Sequence, residues 1–233
     1  MPENLALGPI WYVVFLLSLT CHEAAHALAA KWGGDLTAFH AGQVTLDPIP
    51  HMRREPFGTI VVPILSFFLS GWMIGWASAP YDPAWQQRYP RRAAWMALAG
   101  PIANFILVTI AGLAIWIGIG SGAFHAPQAI NFTQVVASNQ TGLPPALATF
   151  FSILFSLNLL LGTFNLLPVP PLDGNTVIGL FLSESAALKF AELSHNQAFS
   201  LIGLLAAWKV FDIVFSPVFK FALNILYPGA NYH

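Results

Sequence analysis

Residues 22–26 read His-Glu-Ala-Ala-His. On an α-helix the i, i+4 spacing puts His22 and His26 on one face, where two imidazoles can share one Zn²⁺. Glu23 then lies beside the metal. Zinc lowers the pKa of a bound water to about 7, and an adjacent carboxylate can take the proton as the hydroxide attacks a carbonyl. The pattern therefore suits hydrolysis of a peptide bond. Five residues with three fixed positions also arise by chance as a pair of surface histidines, so the surroundings have to decide. Here the three ionisable side chains fall near the end of an apolar run, where together they cost on the order of several kcal/mol on insertion scales. Side chains held at that cost are expected to have a chemical role.

Two histidines leave a tetrahedral catalytic site one protein ligand short if the fourth position is kept for water. Asp173 is the candidate: no other acidic residue lies between Asp82 and Glu184, and Pro168, Pro170 and Pro171 unwind the chain just before it. Irregular backbone at membrane depth is tolerated only where it is buried in protein or lines a wet cavity. The alternative is that Asp173 simply caps the helix that follows.

The elements that must position these residues are membrane-spanning helices. Of 233 residues, 56% are hydrophobic and 8% charged, against about a quarter charged in a soluble domain. Several apolar runs reach the ~20 residues needed to cross roughly 30 Å of hydrocarbon. Spans are expected over about 8–31, 59–79, 93–119, 146–167 and 199–226, the last interrupted at Ser216-Pro217. The expected fold is thus an all-α polytopic membrane protein with about five (four to six) transmembrane helices. A small β-hairpin or edge strand is expected in the loop after the first helix, over about 36–46, where it could offer an edge to an unwound peptide. The residues from 79 to 92 and from 120 to 145 read as loops. Asp173-Gly174 opens a short helix to about Leu182. The first apolar run lacks a basic leader and a small-residue cleavage pattern, so it reads as a retained span. One membrane-embedded domain is expected over 1–233, with a catalytic core at about 8–182 and a helical segment at about 183–233.

With these motifs in hand, HEAAH on an early span and NLLPVPPLDG (165–174) on a later one resemble the site-2 protease family of intramembrane zinc metalloproteases. Gly75-Trp76-Ala77 and ALAGPIANF (97–105) are similar to that family's middle section, whereas the part after Gly174 matches loosely. The resemblance implies that Asp173 is the third zinc ligand, Glu23 the general base, and Asn104 and Asn165 polar groups near the scissile bond. Asn104 would then help stabilise the oxyanion; interhelical hydrogen bonding is the other reading of both asparagines. The family's lysine and Pro-Val-Pro run after GWA are replaced here by Ser78-Ala79-Pro80-Tyr81-Asp82, so no role carries over to that loop. The chain looks like a minimal member without PDZ or nucleotide-sensing modules.

Nine Lys and Arg against ten Asp and Glu point away from a nucleic-acid partner. The implied partners are the lipid bilayer and a membrane-spanning protein or peptide substrate, in a multi-pass protein of the bacterial inner membrane. Positive charges tie between the two sides, and the resemblance puts loop 33–57 on the cytoplasmic side. Cys21 cannot form an internal disulfide and points about 100° away from His22, as a packed thiol would. His40 and His51 are expected to lie in the loop outside the metal site, with His51 and Asp47 in loop hydrogen bonds. Lys209 and Asp212, spaced i, i+3, are expected to pair. Two other functions use the same residues: a zinc transporter, which needs an access route on each side, and a non-catalytic relative, against which the complete HExxH and Asp set argues.

Overall fold

The computed structural model describes residues 3–194 and 197–230. Its helices are α1 (Gly8–Gly33), α2 (Thr37–His40), α3 (Pro48–Arg54), α4 (Val62–Ser70), α5 (Pro83–Arg88), α6 (Pro90–Gly120), α7 (Leu143–Asn165), α8 (Asp173–Val177), α9 (Glu184–Ser194) and α10 (Gln197–Leu226). A π-helical turn, Phe57–Val61, leads into α4. Four helical stretches among the described residues are long and apolar enough to cross a membrane: Leu5–Gly33, Pro90–Gly120, Leu143–Asn165 and Ala198–Leu226. An 18-residue apolar window of α7 is 61% buried and that of α10 only 6%, so the described residues leave most of the apolar surface of α10 uncovered.

The second expected span is shorter than read. Helical structure over Phe57–Ser70 ends where Gly71 takes a left-handed conformation (φ 81°) and donates its N–H to the Phe67 carbonyl. Fourteen residues rise about 21 Å, short of a bilayer core. Beyond them the chain runs without helix to Asp82. Trp76 N–H donates to the Gly58 carbonyl at 3.1 Å, and a Cβ on Gly58 would lie 2.2 Å from the Trp76 oxygen.

The hairpin expected over 36–46 is also corrected. Among the described residues there is no strand, only the isolated bridges His125–Ala137 and Asn131–Gln134. The apolar alternation that suggested a strand is overridden by local caps. Asp35 accepts from the Thr37 N–H (2.9 Å) and hydroxyl (2.6 Å), which turns the chain into α2. Gly42 takes φ 70°, and Asp47 accepts from Ile49 N–H with Pro48 at the first position of α3. Gln43, within that stretch, is buried. The Asp35 carboxylate also receives the Asp82 N–H at 2.8 Å. Burial pushes this carboxyl up, but the Thr37 hydroxyl and the Asp82 and Thr37 amides outweigh it and hold Asp35 below its usual range.

Three further expectations shift. The loop over 79–92 contains α5, capped by Asp82. The last span runs unbroken through Pro217, as neighbours in a bilayer permit. Lys209 and Asp212 are both exposed, and among the described residues no ion pair joins them.

The described residues form two compact units. The first comprises Met1–Thr20, Leu46–Ser78 and Asn104–Leu159; the second comprises Cys21–Thr45, Ala79–Ala103 and Leu160–His233. Inside the first unit a fully buried polar chain ties three helices. Asn104 Nδ2 donates to Asn158 Oδ1 (2.9 Å), Asn158 Nδ2 donates to Ser18 Oγ (2.8 Å), and Ser18 donates to the Val14 carbonyl (2.7 Å). In the second unit Ala30, Trp85, Ala93 and Met96 form a core cluster, while Trp85 Nε1 and Arg92 both donate to the Gly33 carbonyl. Leu167, Leu172 and Ala207 pack as another.

Candidate metal centre

The second unit assembles His22, His26 and Asp173. The C-terminal half of α1 presents both imidazoles, ring centroids 4.5 Å apart and nearly perpendicular. Asp173 arrives at the start of α8, and its position depends on the next residue: a Cβ on Gly174 would lie 2.3–2.4 Å from the backbone of Leu166 and Leu167. Only glycine lets α8 begin so close to the end of α7.

His22 Nε2 and His26 Nε2 lie 2.9 Å apart, and Asp173 oxygens lie 3.1 Å from His22 Nε2 and 3.4 Å from His26 Nε2. One ligand atom from each residue falls within 4.8 Å of the others, the only such group of His, Cys, Asp or Glu among the described residues. In a tetrahedral zinc site with bonds of about 2.0–2.2 Å, ligand atoms stand roughly 3.3–3.6 Å apart. Two imidazole nitrogens and one carboxylate therefore suit zinc in chemistry and lie near that spacing. His26 Nδ1 is 2.8 Å from the Met96 carbonyl. A carbonyl can only accept, so Nδ1 carries the proton and Nε2 keeps its lone pair for a metal, the usual device for fixing a ligand's tautomer.

Glu23 is 5% exposed, and its carboxylate accepts no hydrogen bond from the described residues. It follows His22 directly in the chain and so sits beside the cluster. Asn165 ends α7 partly buried, its side-chain amide making no hydrogen bond within the described residues. Asn104 is different: its Nδ2 is given to Asn158 and its side chain is fully buried. His40 and His51 stand outside the cluster, His51 buried in α3, and Cys21 is a free thiol that does not join it.

Sequence reasoning passed over three contributors. The Met96 carbonyl orients His26. Asn158, with Ser18, completes the polar chain that holds Asn104. Gly100 faces the ligand nitrogens so closely that a Cβ there would lie 2.4 Å from His26 Nε2 and 2.6 Å from His22 Nε2. The signal for Gly100 was its place in ALAGPIANF (97–105), where the resemblance implied a role for Asn104 alone.

A helical chain with apolar spans and a His-His-Asp cluster beside a glutamate has the donor set of a metallopeptidase. Its sequence matches Peptidase family M50 over residues 10–209. The chain belongs to that family, the site-2 protease family of zinc metalloproteases, and zinc is the metal this membership implies. It is 35% identical over 175 residues to the "Putative zinc metalloprotease YwhC" of Bacillus subtilis, covering 75% of this chain and 69% of that one. It is 30% identical over 166 residues to the "Putative zinc metalloprotease Rip2" of Mycolicibacterium smegmatis, covering 69% of this chain and 52% of that one. No solved structure gives a significant match.

Proposed function

We propose that this chain is an intramembrane endopeptidase that cuts membrane-spanning proteins or peptides, with His22, His26 and Asp173 as zinc ligands and Glu23 as general base. The observation that carries the reading is the convergence of the three ligand atoms within 4.8 Å, on helices too apolar to hold such groups without a use. Zinc bound there supplies the Lewis acidity that makes water nucleophilic near neutral pH and polarises a carbonyl. Glu23, free of other hydrogen bonds, takes the proton of the attacking water and returns it to the leaving amine. The Met96 carbonyl keeps His26 in the ligating tautomer. Asn165, whose amide has unfilled capacity, orients the substrate backbone beside Asp173.

The same proposal covers the setting. Residues 1–233 act as one membrane-embedded catalytic domain with a core over about 8–182, in the inner membrane of a bacterial cell, performing regulated intramembrane proteolysis. The four candidate spans and the bacterial relatives support it. Asn104 is assigned to helix packing rather than to the oxyanion, because its amide already donates to Asn158.

The test compares wild type and Glu23→Gln, purified in detergent, for zinc content and for cleavage of a model transmembrane substrate. Wild type is expected to hold about one zinc and to cut. Glu23→Gln should keep the zinc while losing at least about 100-fold in rate. Zinc in both proteins with cleavage by neither would move the function to zinc transport or a non-catalytic role.

A further inference from the structure

Asp212 stands fourteen residues from each end of the apolar span Ala198–Leu226. Fourteen helical residues rise about 21 Å, more than the ~15 Å from the middle of a bilayer's hydrocarbon to its edge, so this short carboxylate reaches neither interface. Lys209 lies three residues away, about 4.5 Å along the axis. Both side chains are exposed, and neither has an ion-pair partner among the described residues. Charged side chains at such depth are among the least favourable on insertion scales, and they normally face a protein interior or a wet cavity and are paired. Here they point away from the protein. The inner face of α10 is set by Ala207 and Phe211, which pack with Leu167 and Leu172, and by Gly203, where a Cβ would lie 2.4 Å from the Pro170 oxygen. Lys209 is two residues from both Ala207 and Phe211, about 200° around the helix from each.

The charges identify what covers this face. One cation and one anion on the same side of a helix complement themselves: a second copy related by a twofold axis along the membrane normal brings Lys209 of each copy beside Asp212 of the other. Copies inserted in one orientation sit at the same depth, so each pair is offset by only about 4.5 Å along the axis, a gap that the flexible four-carbon stem of lysine bridges. Exposed Ala206 and Ser216 on this side are small enough to let two backbones approach, and Leu205 and Ile213, 61% and 75% exposed, supply apolar packing. We propose that the chain forms a parallel homodimer through this face of α10, with two reciprocal Lys209–Asp212 ion pairs at mid-membrane. The inference needs the span but no cleavage, and so goes beyond the endopeptidase reading.

The test measures self-association by energy transfer between donor- and acceptor-labelled full-length chains in phosphatidylcholine vesicles. Wild type should give transfer that falls when unlabelled wild type is added. Lys209→Asp and Asp212→Lys each place like charges across the interface and, taken singly, should weaken association at least about tenfold. Mixed together they should recover it, because each lysine of one chain then meets an aspartate of the other. That recovery also shows that both variants fold. Pairing of Lys209 with Asp212 inside one helix predicts no such recovery. If the reversed charges prevent folding, as judged by thermal melting and zinc content, Lys209→Met and Asp212→Asn take their place, and each should weaken association about three- to tenfold. A monomeric wild type, variants that associate as tightly as wild type, or folded reversed-charge variants that do not recover on mixing would each overturn the inference.

Discussion

Gly100→Ala should empty the metal site without unfolding the protein. The added Cβ would lie 2.4 Å from His26 Nε2 and 2.6 Å from both Cε1 and Nε2 of His22, whereas an ordinary heavy-atom contact needs about 3.5 Å. Both rings must then retreat by roughly 1 Å, and His26 has little freedom because its Nδ1 is tied to the Met96 carbonyl at 2.8 Å. Zinc sites tolerate ligand displacements of about 0.2 Å. Perturbing only the outer partners of a ligand already costs about 10–100-fold in affinity, so displacing two ligands directly should cost at least ~100-fold. The fold feels less. Overpacking costs about 1–3 kcal/mol, and replacing glycine by alanine inside a helix returns roughly 1 kcal/mol. The assay is zinc per protein by elemental analysis, with thermal melting in the presence and absence of chelator. Gly120→Ala, at the end of the same helix with open space around it, is the control. Full zinc content at wild-type affinity in Gly100→Ala would refute the geometry argued for the site.

Two further outcomes follow from the polar networks. Asn158→Leu deprives buried Asn104 and Ser18 of their shared partner and should lower stability by about 1–2 kcal/mol with zinc content unchanged; unfolding in detergent measures the first, and loss of zinc without loss of stability would count against a packing role. The Asp35 carboxyl is held below its usual range by its donors, so its folded pKa is depressed relative to the unfolded chain. Its contribution is present above about pH 4 and is lost as pH falls through the folded value. Hydrogen exchange should therefore show the Thr37 and Asp82 amides protected at pH 6 and released in stronger acid.

The residues of the metal cluster were legible because reactivity restricts residue type. Helical spacing puts His22 and His26 on one face, and the lone acid beside the proline run makes Asp173 the candidate that the family resemblance also implies; the structure brings these three together. What positions them was not legible. The Met96 carbonyl and the bare face of Gly100 matter only once α6 lies against α1, a fact of packing that neither hydropathy nor spacing encodes. Asn104 reads equally as an oxyanion group or as helix pairing from sequence, and the proposal that it pairs helices draws on its bond to Asn158. The spans at α1, α6, α7 and α10 were readable from apolar length. The segment over 59–79 was equally apolar, but Gly71 in a left-handed conformation ends its helix after Ser70. The loop over 36–46 alternates like a strand, yet the side-chain caps from Asp35 and Asp47 are local hydrogen bonds that win over a pattern with no partner strand.

The central claim is that two imidazoles and one carboxylate of this chain hold a single zinc. X-ray absorption at the zinc edge of the purified wild-type protein tests it most directly. The account predicts about one zinc per chain, only nitrogen and oxygen neighbours at about 2.0–2.2 Å, and the outer scattering of two imidazole rings. A sulfur neighbour at about 2.3 Å, which in this chain would implicate Cys21 or a methionine, or a spectrum with no imidazole scattering, would contradict it.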